Sequence, residues 1–127
     1  MNYKEIEQEI ASKGLTAPRV TPNDIEANIS SEYFFTAEEG MIGKYVNRLT
    51  KDEVMVYPGE LPKHPATLNL LTFCILVLRN GFTVTGESAC ASPENFNPEI
   101  GRKIARQNAV QKIWPLMGYV LKEQLLK

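Results

Sequence analysis

The chain is poor in the residues that most often carry catalysis or hold metal. Its 127 residues include one histidine, His64, and two cysteines, Cys74 and Cys90. Metal sites of the His–Cys kind and Ser–His or Cys–His nucleophilic pairs have almost no material here. Two cysteines are also too few for a disulfide framework or a structural zinc site. No apolar run approaches the roughly 18 residues that a membrane span requires. The opening stretch, MNYKEIEQEIASKG, carries an acid every few positions and has no apolar core, so it does not read as a secretory signal. A cytoplasmic protein with no metal and no cofactor is the default expectation. Neither sign of charge is in excess: 14 Lys and Arg stand against 15 Asp and Glu, a formal net charge of −1. This balance speaks against a nucleic-acid coat or a polybasic membrane anchor, so DNA, RNA and membrane are not expected partners.

With 43% hydrophobic and 23% charged residues, the composition is that of one globular domain, 1–127. Charge is nevertheless uneven. Residues 1–67 hold 7 Lys and Arg against 11 Asp and Glu, a net of −4, whereas residues 98–127 hold 6 against 2, a net of +4. An acidic front and a basic tail suit docking within or between chains, and equally a tail that holds a small anion.

Ile6 and Ile10, four apart among Lys and Glu, predict a short amphipathic helix stopped by Gly14. Thr21 as cap, Pro22 at the first helical position and Asp24 three residues after the cap predict a second one, ending near Ser30. Tyr33-Phe34-Phe35 reads as a short strand. Residues 36–66, punctuated by Gly40, Gly43, Pro58, Gly59, Pro62 and Pro65, read as a variable loop or inserted hairpin with one strand at Val54–Tyr57. Asn80-Gly81 between two β-branched, apolar runs predicts a hairpin over residues 70–90 with a two-residue turn. That turn makes opposed positions sum to 161, which sets Arg79 against Phe82, Val77 against Val84, and Cys74 against Glu87. The two cysteines then lie apart, and no disulfide is expected. The first hairpin strand is apolar on both sides, which predicts a partner subunit over one face and hence a homo-oligomer. Asn97-Pro98-Glu99 starts a long last helix, with a kink or break expected near Trp114 because Pro115 lacks an N–H. The fold class expected is α+β: an antiparallel hairpin or sheet, short N-terminal helices and a long, kinked C-terminal helix.

Arg102 and Arg106 lie four apart on the first turns of that helix, close to its free amides. Two guanidinium forks there suit phosphate or diphosphate, but an exposed helix with Glu99 paired to Arg102 or Lys103 fits the pattern too. Phe82 at the hairpin turn and Asn95 before the helix suit stacking on a base and hydrogen-bonding its edge; equally, Phe82 packs on the stem of Arg79 and Asn95 caps its own turn. Phe96 and Trp114 read as core. Thr83 and Thr85 line a polar pocket or are the polar side of a half-exposed strand. No nucleophile has a base, no carboxylate pair is fixed to rigid elements, and no glycine loop opens a helix. Binding is favoured over catalysis.

The stretches NGFTVTGESAC (80–90), SPENF (92–96), EIGRKIA (99–105) and KIWPLMGY (112–119), in this order, closely resemble a family of small tailed-phage and prophage proteins, the gp-forty-nine/gp-sixty-six family. VTPNDIEANI (20–29) matches it loosely. Phage anti-Thoeris sponge proteins look similar to this family. The resemblance implies a non-catalytic protein in the cytoplasm of an infected host cell that captures a cyclic ADP-ribose signal, glycocyclic ADP-ribose, with cyclic oligonucleotides as a further ligand class. It also implies a homodimer that assembles into a hexamer, and a ligand held by an aromatic residue, an asparagine and two helix arginines. Phe82, Asn95, Arg102 and Arg106 are the positions that fit those roles. The rival reading is an early phage protein that inhibits a host enzyme by direct protein–protein binding.

Overall fold

The computed structural model describes residues 3–48 and 63–127. In chain order these form α1 (Tyr3–Ser12), α2 (Pro22–Ala27), β1 (Ile29–Thr36), α3 (Ala37–Arg48), a 3-10 turn (Ala66–Leu70), β2 (Leu71–Leu78), β3 (Thr83–Ala89), a second 3-10 turn (Pro93–Asn95) and α4 (Pro98–Leu125). The class is α+β. An antiparallel sheet in the order β1-β2-β3 carries α4 across one face.

Local chemistry accounts for most of the element ends. Gly14, at φ +68°, terminates the chain's turn out of α1. Thr21 and Asp24 close a reciprocal capping box: the Asp24 amide donates to Thr21 Oγ1 at 3.1 Å, and the Thr21 amide to Asp24 Oδ2 at 2.9 Å. This helix stops at Ala27, earlier than expected, because β1 already begins at Ile29 and runs eight residues beside β2. Thr36 and Glu39 form a second capping box, at 2.8 and 3.2 Å, that starts α3. The first third of the 36–66 segment is therefore helix rather than loop or hairpin. The expected strand at Val54–Tyr57 lies outside the described residues.

The hairpin forms where expected, but its register is 160 and not 161: Cys74 faces Gly86, Leu76 faces Val84, and Phe73 faces Glu87. Its loop has three residues, Arg79-Asn80-Gly81. The Leu78 amide donates to the Phe82 carbonyl at 2.8 Å, the Gly81 amide returns to the Leu78 carbonyl at 2.9 Å, and Gly81 takes φ +89°. A turn followed by a left-handed glycine adds one residue to the loop. That single residue moves all of β3 to the opposite face relative to the two-residue reading. Glu87 thereby leaves Cys74 and stands exposed on the face away from α4.

The core lies between α4 and one sheet face. Ile25, Cys74, Leu76, Leu78 and Val84 meet Ala105, Ala109, Val110 and Ile113. Complete burial of Leu76 and of Ile113 contributes about 1.5–3 kcal/mol each. Gly101, Ala105 and Ala109 present almost no side chain to the sheet, so the helix axis settles close to it. Pro115 does not end α4: the helix runs unbroken for 28 residues. The lost hydrogen bond falls at an exposed turn, where water can serve the orphaned carbonyl. Trp114 is partly buried against the core rather than inside it, and its ring stacks on Tyr3 at 5.2 Å. Cys74 is buried, Cys90 half-buried, and both are free thiols.

The opposite face of the sheet is less covered. Phe73, Ile75 and Val77 are half-buried there, Phe35 stacks on Phe73 at 5.4 Å, and Tyr33 is 56% exposed. Among the described residues α4 covers one side of β2, and the apolar residues of its other side are only half-buried.

Candidate functional site

At the end of the sheet where α4 begins, a cleft of about 420 Å³ is lined by Phe34, Phe35, Thr36, Glu39, Asn69, Thr72, Phe96, Pro98 and Arg102. Its position follows from the fold. Asn97 caps α4 by accepting from the Ile100 amide at 3.1 Å, which fixes the first helical turn over the start of β2. Gly101 allows this contact, since a Cβ there would lie 3.0 Å from Thr72 Oγ1. Arg102, one residue on, is exposed at the cleft wall and forms no ion pair among the described residues. Aromatic rings, the positive end of a helix and one uncommitted guanidinium meet at this spot. The combination suits a planar group bearing an anion. Phe96, read from sequence as core, instead belongs to this cleft.

Arg106, one turn later, is in a different state. Its Nη1 and Nη2 donate to the two oxygens of Glu26 at 3.0 and 2.8 Å, and its Nε donates to Glu32 Oε2 at 2.7 Å. The guanidinium ties α4 to α2 and β1, with 30% of the side chain left exposed. These hydrogen bonds raise the Arg106 pKa further above its ordinary value and hold the Glu26 carboxyl below the usual carboxylate range. Glu99 pairs with Lys103 at 3.4 Å, one of the arrangements that the spacing allows. Arg106 borders two other clefts. One, of about 560 Å³, also includes Tyr3, Lys103, Gln107 and Gln111; the other, of about 240 Å³, includes Ser30, Ser31 and Glu32. None of the described clefts contains both arginines.

The remaining candidates lie elsewhere in the protomer. Phe82 is 57% exposed at the hairpin tip, at the far end of the sheet from Arg102. Thr83 and Thr85 are exposed on the sheet face turned away from α4. Asn95 is exposed in the turn before α4; its backbone amide donates to Ser92, and no side-chain hydrogen bond caps that turn. One protomer therefore brings Asn95 and Arg102 to the same end, while Phe82, Thr83 and Thr85 stay apart from both. Among the described residues no group of three or more His, Cys, Asp or Glu could hold a metal ion, and no helix is long and apolar enough to cross a membrane.

Sequence reading missed Phe34, Phe35, Asn69 and Thr72 as cleft residues, and Glu26 and Glu32 as partners of Arg106. The latter are 80 and 74 residues distant in the chain, and no local pattern links them. Glu39 did carry a signal: Thr36-Ala37-Glu38-Glu39 is the spacing of a capping box.

Comparison with curated proteins and with solved structures finds no match. The sequence pattern of one family does match, over residues 20–125, from the turn before α2 to the last residue of α4. On that match the chain belongs to the Phage protein (N4 Gp49/phage Sf6 gene 66) family.

Proposed function

We propose that this phage-family protein captures a cyclic nucleotide signal in the infected cell, of the glycocyclic ADP-ribose or cyclic oligonucleotide class, and holds it without cutting it. The observation that carries the reading is the cleft at the start of α4, where the free guanidinium of Arg102 stands beside Phe34, Phe35 and Phe96. A diphosphate would take Arg102 at the positive end of α4, and a base would lie on the rings. The stretches within residues 80–119 resemble the phage family, and the likeness of anti-Thoeris sponge proteins to that family supports the ligand class. It also supports an assembly, dimer or hexamer, in which a second copy covers the half-buried face of Phe73, Ile75 and Val77. Such an assembly would bring Phe82, Thr83 and Thr85 of one copy toward another copy's cleft.

Incubation with glycocyclic ADP-ribose, cyclic ADP-ribose and cyclic di- and trinucleotides, removal of free ligand, denaturation and mass analysis tests the reading. Intact ligand is expected on release. Arg102→Ala is expected to weaken capture by about tenfold or more, the loss of one charge-assisted contact. Release of cleaved product would replace the sponge by an enzyme.

The same open sheet face favours a second reading, inhibition of a host enzyme through protein contact. In that case purified protein releases no nucleotide, and a stoichiometric host enzyme co-purifies.

A further inference from the structure

Arg106 is surrounded by more negative charge than it can neutralise. One guanidinium meets two carboxylates, and three of its five N–H groups are committed to them. An incoming phosphate would find the remaining donors beside Glu26 and Glu32, which repel it. Both carboxylates are nevertheless accessible, with 56% and 43% of their side chains exposed, so neither is trapped in its contact. Solvent at both carboxylates screens these pairs, so an incoming anion can compete for the guanidinium. Space for the guanidinium to move exists on both sides, in the clefts that it borders with Lys103 and Gln107 and with Ser30 and Ser31.

We propose that Glu26 and Glu32 form a latch that holds Arg106 out of ligand binding, and that a phosphate-bearing ligand must displace one of them to recruit this arginine. The inference rests on the nucleotide-capture reading above and names the regulation of that site. Arg102 then makes first contact in its cleft. Arg106, one helical turn away on α4, joins by exchanging a carboxylate for a phosphate of the same geometry. The exchange balances: one charge-assisted fork is lost and one gained. The latch sets a threshold that a monoanion such as chloride or acetate does not overcome, whereas a diphosphate held by Arg102 does. It also keeps the guanidinium from recruiting the abundant inorganic anions of the cell.

Titration calorimetry with cyclic ADP-ribose and with inorganic pyrophosphate tests the latch in the wild-type chain, in Glu26→Gln with Glu32→Gln, and in that double variant carrying Arg106→Gln as well. The double variant is expected to bind about threefold to tenfold more tightly, the range set by releasing two exposed pairs. The triple variant is expected to lose that gain. Wild-type binding that is unchanged or weakened in the double variant overturns the latch and leaves the capture reading standing. A gain that persists in the triple variant also overturns it, because the cause is then general loss of negative charge. No binding of either ligand in any form overturns the latch, and the capture reading falls with it only if the cyclic nucleotides of the release test are not retained either. Should the double variant fail to fold, Glu32→Gln alone, which keeps the bidentate Glu26 pair, is measured in the same way against Glu32→Gln with Arg106→Gln.

Discussion

Gly86 of β3 lies directly beneath Ala105 of α4: a Cβ on the glycine would sit 2.2 Å from the Ala105 carbonyl oxygen and 2.3 Å from the Ala109 amide. Both obstacles are backbone, so no side chain can swing aside. The closeness of this contact fixes how far α4 stands from the sheet. It therefore also fixes which residues of α4 reach the cleft at its start.

Gly86→Ala should destabilise the fold by about 3 kcal/mol, at the upper end of overpacking penalties, because helix and strand must separate. Gly118→Ala on the same helix meets nothing within 4 Å and gains helix propensity, so it should be neutral or slightly stabilising. Chemical denaturation of the two variants checks the contrast. Equal stabilities would mean that α4 does not rest on β3 at Gly86.

The two thiols should differ sharply in reactivity. Burial, with Glu32 adding to it, pushes the Cys74 pKa up to about 11. At pH 8 only about one thiol in a thousand is then ionised, and α4 covers the side chain. Cys90 is half-buried, and its thiol donates to the Ser92 carbonyl at 3.2 Å. Iodoacetamide at pH 8 should modify one cysteine per native chain, Cys90 by peptide mapping, and both after denaturation.

Acid should undo the tie between α2 and α4. The Glu26 carboxyl is held below its ordinary value by the hydrogen bonds to Arg106. A lowered folded-state pKa contributes stability above the unfolded value of 4.5, and that contribution vanishes as pH falls through the folded value. Because Glu26 is more than half exposed, solvent screening limits the contribution to about 1 kcal/mol or less. Thermal melts of the wild-type chain and Glu26→Gln should therefore differ by a few degrees at pH 7, and the gap should shrink steadily as pH falls from the unfolded value of 4.5 through the lowered folded-state value. A gap of the same size on both sides of this titration would contradict this origin.

Helix α1 should be separable from the rest. It has no buried residue, and it is held by the Tyr3 ring on Trp114, the Tyr3 hydroxyl accepting from Gln111 Nε2 at 2.7 Å, and a double contact between Arg19 and Glu7, among other contacts. Trp114 is the sole tryptophan, so its fluorescence reports on this docking. Tyr3→Ala should shift the emission to the red while costing about 1 kcal/mol, the value of one aromatic pair with its hydrogen bond. An unchanged spectrum would mean that Tyr3 does not cover the indole.

Whatever depends on neighbours along the chain could be read from the amino acids alone. Thr21-Pro22-Asn23-Asp24 encodes a capped helix because its hydrogen bonds close within four residues, and Asn97-Pro98 does the same for α4. The apolar runs on either side of Asn80-Gly81 encode a hairpin for a similar reason. The capping signal of Thr36 and Glu39 is equally local, and Gly40 and Gly43 lower helix propensity without forbidding a helix.

Tertiary contact decided the rest. Hairpin register turned on one extra loop residue, and the glycine at φ +89° permits both loop lengths. Only the packing of Gly86 under α4 selects the face that β3 turns inward. Pro115 is tolerated because the carbonyl left without a donor is that of Gln111, an exposed residue open to solvent, on a helix that packing already holds. The two arginines look alike in sequence, four residues apart on one helix. They differ in the fold because β1 and α2 bring Glu32 and Glu26 to Arg106, while the start of α4 leaves Arg102 facing an open cleft. Charge partners some eighty residues apart in the chain are set by three-dimensional proximity, and no pattern within a single segment carries that information.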